Sequence, residues 1–121
     1  MLIYTLGFAD DKDLQRHFIK HGMEFGVSTA AEYETLADRF MGGPKTASVH
    51  ECSRKKDGDI LRFDATTDFF GAMKVGNVIR TLYKPIPCIS VPATQRAAFR
   101  RGRRCHPETS NLVYFQSECA K

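Results

Sequence analysis

Tryptophan is absent, and no apolar run in the 121 residues approaches the length of a membrane span. The first absence leaves nine Phe and four Tyr as the bulky core material; the second argues against an integral membrane protein. Met1–Ala9 is apolar but too short for a secretion signal, and it runs straight into acids, so any passage across a membrane would need another carrier. The four cysteines, Cys52, Cys88, Cys105 and Cys119, contain no Cys-x-x-Cys pair, which supports neither a zinc ribbon nor a thioredoxin-like motif. Their number allows two disulfides, yet a chain of this length does not need them to fold, and reduced cytosolic thiols are expected. Carboxylates are not clustered as a two-metal nuclease requires: Asp57, Asp59, Asp64 and Asp68 fall at turns and strand ends. Internal repeats and low-complexity tracts are also missing.

What is present fits one folded domain, 1–121, with an apolar content of 42%. The formal charge of +4 is unevenly placed. Residues 1–87 hold twelve Lys/Arg against twelve Asp/Glu, whereas residues 88–121 hold six against two. Arg96, Arg100, Arg101, Arg103 and Arg104 make that difference, and such a cluster is either a handle for nucleic acid or an exposed loop facing an acidic partner.

Asp13–Gly22 reads as a short helix, with Asp10, Asp11 and Asp13 at its positive end and Gly22 as a left-handed stop. His17 and His21, four apart, share a face, flanked by Lys20. Such a group can bind phosphate and move protons near neutral pH, or it can be a solvated polar face with one histidine half-buried. Met1–Leu6 is a short strand or a lead-in to this helix. Thr29-Ala-Ala-Glu32 has the form of a capping box, opening a second helix to about Met41 that Gly42-Gly-Pro44 ends.

From Ala47 the period changes to two. Strands are expected over 47–54, 60–64, 69–74 and 78–84, with turns at Lys56–Asp59 and Gly76-Asn77. The fold class is therefore α+β: two N-terminal helices packed on a four- to five-stranded antiparallel sheet. In the last strand, alternation puts Ile79, Thr81 and Tyr83 on one face and Arg80, Leu82 and Lys84 on the other. Residues 85–110 read as a loop with a basic helical turn at Ala93–Arg101, and Leu112-Val-Tyr-Phe115 as a closing segment docked on the core.

Metal-free RNA cleavage needs a group to take the 2′-hydroxyl proton, cations to support the phosphorane, and a proton for the leaving oxygen. His17, Lys20, His21, Arg62, Thr81, Tyr83 and Lys84 supply each of these types. A zinc site on His17 and His21 would need a third ligand such as His50 or Cys52, and nothing in the spacing points there.

His17-Phe-Ile-Lys-His-Gly22, Glu24-Phe-Gly26, Ala31-Glu-Tyr33 and Ala37–Phe40 resemble a pattern in C-terminal toxin domains of contact-dependent inhibition and RHS-type polymorphic toxins. The pattern continues in Gly58–Asp64, Thr67, Phe70-Gly71, Ile79-Arg-Thr81 and Tyr83-Lys-Pro85, and weakly at His106 and Asn111–Phe115. Those domains are similar to the barnase–EndoU–colicin D–RelE superfamily of metal-independent ribonucleases. The resemblance implies an endoribonuclease acting on RNA, with tRNA as the family-level substrate. Its catalytic set would be His17, Lys20 and His21 opposite Thr81 and Tyr83, with Arg62 nearby. Arg80, Lys84, Arg100, Arg101, Arg103 and Arg104 would hold the RNA, and no cofactor or metal is called for. It also implies a cognate immunity protein, a monomeric enzyme, and delivery from a secreted or cell-surface effector into a target cell's cytoplasm. Two departures stand out: Ala65 replaces an expected Pro, and the stretch between Pro85 and His106 is longer and more basic than the pattern. A non-catalytic nucleic-acid-binding or inhibitor module and a deoxyribonuclease are the alternatives.

Overall fold

Asp10 starts the first helix, α1 (Asp11–His21), by accepting the Asp13 N–H at 2.7 Å; the computed structural model describes residues 2–96 and 104–121. The expected left-handed stop at Gly22 is corrected. Gly22 keeps helical dihedrals (φ −54°, ψ −39°) and opens a 3-10 turn, Gly22–Phe25, and the left-handed residue is Gly26 at φ +67°. The reason at Gly22 is space: a Cβ there would lie 2.7 Å from the Phe18 ring.

The second helix, α2 (Ala30–Gly42), begins at Thr29, whose hydroxyl oxygen accepts the Glu32 N–H at 3.1 Å. Glu32 answers by accepting the Thr29 hydroxyl proton, 3.0 Å away, so its link is to the side chain of the cap. The lead-in 2–8 is a loop that touches the sheet at one parallel bridge, Phe8 to Ile79. It is gathered on Asp38, whose carboxylate accepts the N–H groups of Ile3, Tyr4 and Thr5 and the Thr5 hydroxyl.

The sheet is antiparallel in the order β1 (Val49–Ser53), β2 (Ile60–Asp64), β3 (Phe70–Lys74), β4 (Val78–Tyr83). The fold class is α+β, as expected, with four strands among the described residues. The closing segment is a helix, α3 (Asn111–Ala120), capped by Ser110. It lies across the sheet from α1 and α2, so the helices do not all cover one face. Phe8, Leu14, Tyr33, Ala37, Ile79 and Leu82 form the core under α1 and α2, while Leu61, Phe63, Phe70, Ala72 and Phe115 form the core under α3. Burying Phe115 alone contributes about 1.5–3 kcal/mol.

A bulge in β4 corrects the expected alternation. Ala72 pairs with Thr81 but Met73 pairs with Ile79, which leaves Arg80 as the extra residue. Ile79 and Leu82 therefore both enter the α1–α2 core. Thr81 and Tyr83 face the α3 side with their partners Ala72 and Phe70. Tyr33 ties the layers by donating its hydroxyl proton to the Leu82 carbonyl at 2.5 Å.

The expected free thiols are also corrected: Cys52 is bonded to Cys119, and Cys88 to Cys105. Spacing along the chain does not reveal these pairs, because folding joins residues 67 and 17 positions apart. The first bond fixes the end of α3 to β1; the second closes the loop that carries the Arg cluster. That loop shows 3-10 turns at Cys88–Ser90 and Ala93–Gln95, and the rest of the expected helix to Arg101 lies outside the described residues. Among the described residues, no helix is long and apolar enough to cross a membrane.

Candidate active site

The acidic start, the Asp10 cap and the buried Leu14 fix how α1 rolls against the sheet, and that roll carries His17 and His21 to the edge of β4. There the bulge has turned Thr81 and Tyr83 toward the α3 side, and the two histidines meet them. His17 Nδ1 lies 3.3 Å from the Thr81 hydroxyl. The His21 ring stacks on Tyr83, with centroids 5.3 Å apart and planes 25° from parallel. The two imidazoles stand 6.3 Å apart. Four of the sequence-derived site residues thus share one edge.

Each member has a defined electrostatic setting. Burial pushes the pKa of His17 below the ordinary 6.5; the Asp13 carboxylate, 3.6 Å from Nε2, pulls it up, and Arg16, His21 and Lys20 push it down further. His17 is consequently neutral at pH 7 and able to accept a proton. His21 directs Nδ1 at the Glu24 carboxylate, 2.6 Å away. A carboxylate only accepts, so that nitrogen carries a hydrogen and Nε2 remains for exchange. Glu24 also accepts the backbone N–H of Lys84 at 2.7 Å. Lys20 is exposed, and its positive charge acts on His17.

Tyr83 and Tyr114 place their hydroxyls 2.5 Å apart. Burial is the main cause that pushes both phenols above their ordinary pKa, so both are neutral at working pH. Tyr114 in turn stacks on His106, with centroids 4.4 Å apart. His106 is held by Asn111 at 2.8 Å and by the Glu108 N–H at 3.2 Å, which occupies both ring nitrogens.

The remaining expectations scatter. Arg62 is not brought to the histidines: it sits two strands from β4, pairs with Glu51 at 2.7 Å, and donates to the carbonyls of Phe40 and Gly43 at the end of α2. There it stabilises the negative end of that helix. Arg80 donates to the buried Asp59 at 2.5 Å, and Asp59 also accepts from Arg54. The Lys84 ammonium lies over the Phe25 and Phe69 rings, 5.8 and 5.5 Å from their centroids. Arg104 is exposed. Arg100, Arg101 and Arg103 lie outside the described residues. As for the zinc alternative, Cys52 is not a thiolate because its sulfur is bonded to Cys119. Among the described residues, no group of three His, Cys, Asp or Glu is placed to hold a metal ion.

No family model matches the chain, and no curated protein matches it.

Reading the sequence missed Tyr114 and Glu24 as neighbours of the site. The His21–Glu24 spacing of three at a helix end was the available signal for the second. Tyr114 carried none, because it reaches Tyr83 only once α3 is recognised as a helix on the far side of the sheet.

Proposed function

We propose that this chain is a metal-independent ribonuclease toxin whose active edge is His17, Lys20 and His21 against Thr81 and Tyr83. The reading is carried by one observation: two imidazoles on α1 lie against two hydroxyl-bearing side chains of β4. Neutral His17 takes the proton of a ribose 2′-hydroxyl, whose oxygen attacks the neighbouring phosphorus. The bond to the 5′-oxygen breaks, and His21, entering the step as the imidazolium with a hydrogen on each nitrogen, delivers the Nε2 proton to that leaving oxygen and keeps the one on Nδ1. Lys20 supports the charge on the phosphorane, and the Thr81 and Tyr83 hydroxyls orient its oxygens. The products are a 2′,3′-cyclic phosphate and a 5′-hydroxyl end. Transfer RNA is the proposed substrate, on the resemblance described above.

The two disulfides suit a chain that is carried outside its producer before it acts in the cytoplasm of a target cell. A producer also needs a neutralising immunity protein. The exposed outer face of α1 and the turn after it, with Lys12, Arg16 and Lys20 beside Ile19 and Met23, offers an acidic partner both charge and apolar area.

The test is incubation of the purified protein with total RNA in EDTA, followed by mapping of the new ends. Fragments with 2′,3′-cyclic phosphates, lost in His21→Ala, are expected. Intact RNA, or full activity in the variant, overturns the reading. Binding without cutting would point to a nucleic-acid-binding module, and metal-dependent cutting of DNA to a deoxyribonuclease.

A further inference from the structure

Glu24 stands in the 3-10 turn between α1 and α2, with its side chain only 5% exposed. Its two oxygens reach different elements. Oε2 lies 2.6 Å from His21 Nδ1, and Oε1 accepts the Lys84 N–H, 2.7 Å away, at the end of β4. One carboxylate therefore joins the imidazole-bearing helix to the hydroxyl-bearing strand at the point where they meet. Because it can only accept, it also decides which ring nitrogen of His21 holds the fixed hydrogen.

We propose that Glu24 is the positioning residue of this edge: it holds the His21 ring against Tyr83 and fixes the hydrogen on Nδ1, so that proton exchange with an RNA phosphodiester passes through Nε2. This rests on the ribonuclease reading above. The roles resemble the general logic in which a buried carboxylate orients a proton-transferring histidine without itself changing protonation. A purely structural role would need the Lys84 link but would be indifferent to the tautomer.

Glu24→Gln separates the two roles. The amide oxygen can still accept the Lys84 N–H, while the amide NH2 now faces His21 Nδ1 and forces the hydrogen to Nε2. Turnover of RNA at saturation should fall by about two orders of magnitude or more, the scale of a lost proton transfer, with KM nearly unchanged. The melting temperature should stay close to wild type, with a further loss of stability only in Glu24→Ala. Wild-type turnover in Glu24→Gln overturns the proposal. A second measurement is independent of RNA: nitrogen NMR of labelled histidine should place the neutral-form hydrogen of His21 on Nδ1 in the wild type and on Nε2 in Glu24→Gln. A wild-type hydrogen on Nε2 also overturns the proposal. If the wild type cleaves no RNA, the ribonuclease reading falls, and the tautomer measurement still decides the role of Glu24.

Discussion

The Nδ1 of His17 lies 3.3 Å from the hydroxyl of Thr81, across 64 positions of sequence. The contact places an ionisable ring in a half-buried position, and its pH response follows. Burial sets the folded pKa of His17 below the ordinary 6.5. The unfolded chain therefore binds the proton more readily, and the stability contributed by the neutral ring is present above 6.5 and lost as pH falls from there through the folded value. The melting temperature of the wild type should drop more steeply than that of His17→Gln as the solution is acidified below 6.5. If cleavage uses His17 as base, turnover in the same variant should fall by a factor of about 10²–10⁴. Parallel pH–stability curves for the two proteins would remove His17 from its buried setting.

The phenols answer in the opposite pH range. Burial raises the pKa of Tyr33, Tyr83 and Tyr114 above the ordinary 10. A raised folded pKa means stability present below 10 and lost as the pH rises past it. Phenolate absorbance from these three should appear only with unfolding. Tyr83→Phe leaves the Tyr114 hydroxyl without its partner at a cost of about 1–3 kcal/mol. A midpoint of urea unfolding equal to that of the wild type would show that the hydroxyl pair contributes nothing.

The sequence was most legible where local chemistry decides the structure. The Thr29–Glu32 cap, the turns at 56–59 and 76–77, and the change of period after Ala47 specified helices and strands without help from distant residues. Long-range events were silent. The bulge at Arg80 exists only in the pairing of β4 with β3, so strict alternation grouped Ile79 with Thr81 and Tyr83 instead of with Leu82. Gly22 looked like a left-handed stop, but its lack of a side chain serves the Phe18 ring. His17 and His21 were visible as a pair from their spacing. Arg62 belonged to the same chemical vocabulary, yet its guanidinium is spent on Glu51 and the end of α2, which no spacing rule foretells.

Asp38 should be the most acid-sensitive anchor of the N-terminal loop. Burial opposes its charge, but hydrogen bonds from the Ile3 N–H, the Thr5 hydroxyl and N–H, and the Tyr4 N–H hold its pKa below the ordinary 3.8. The stability this contributes is present above 3.8 and lost as pH falls through the folded value. Asp38→Asn puts an amide NH2 against these donors and should cost about 1–3 kcal/mol near neutral pH. The gap between variant and wild type should shrink in strong acid, as urea midpoints taken at neutral pH and again below the ordinary carboxylate range would record. A constant gap would mean that the carboxylate charge is not what holds the loop.

The disulfides make unequal contributions that can be measured one at a time. In the chain-entropy picture, a crosslink across 67 positions is worth about 4 kcal/mol and one across 17 about 3 kcal/mol. Cys52–Cys119 also holds the end of α3, the helix that brings Tyr114 to Tyr83 and Phe115 into the core. Changing Cys52 and Cys119 together to Ala should therefore lower stability more than the same change at Cys88 and Cys105. It should also weaken the protection of the Tyr114 amide against hydrogen exchange. The Cys88–Cys105 pair closes the loop bearing Arg96 and Arg104, and its removal should leave exchange in α3 unaltered. Equal losses in stability from the two pairs, with α3 protected in both, would show that Phe115 packing alone secures the helix.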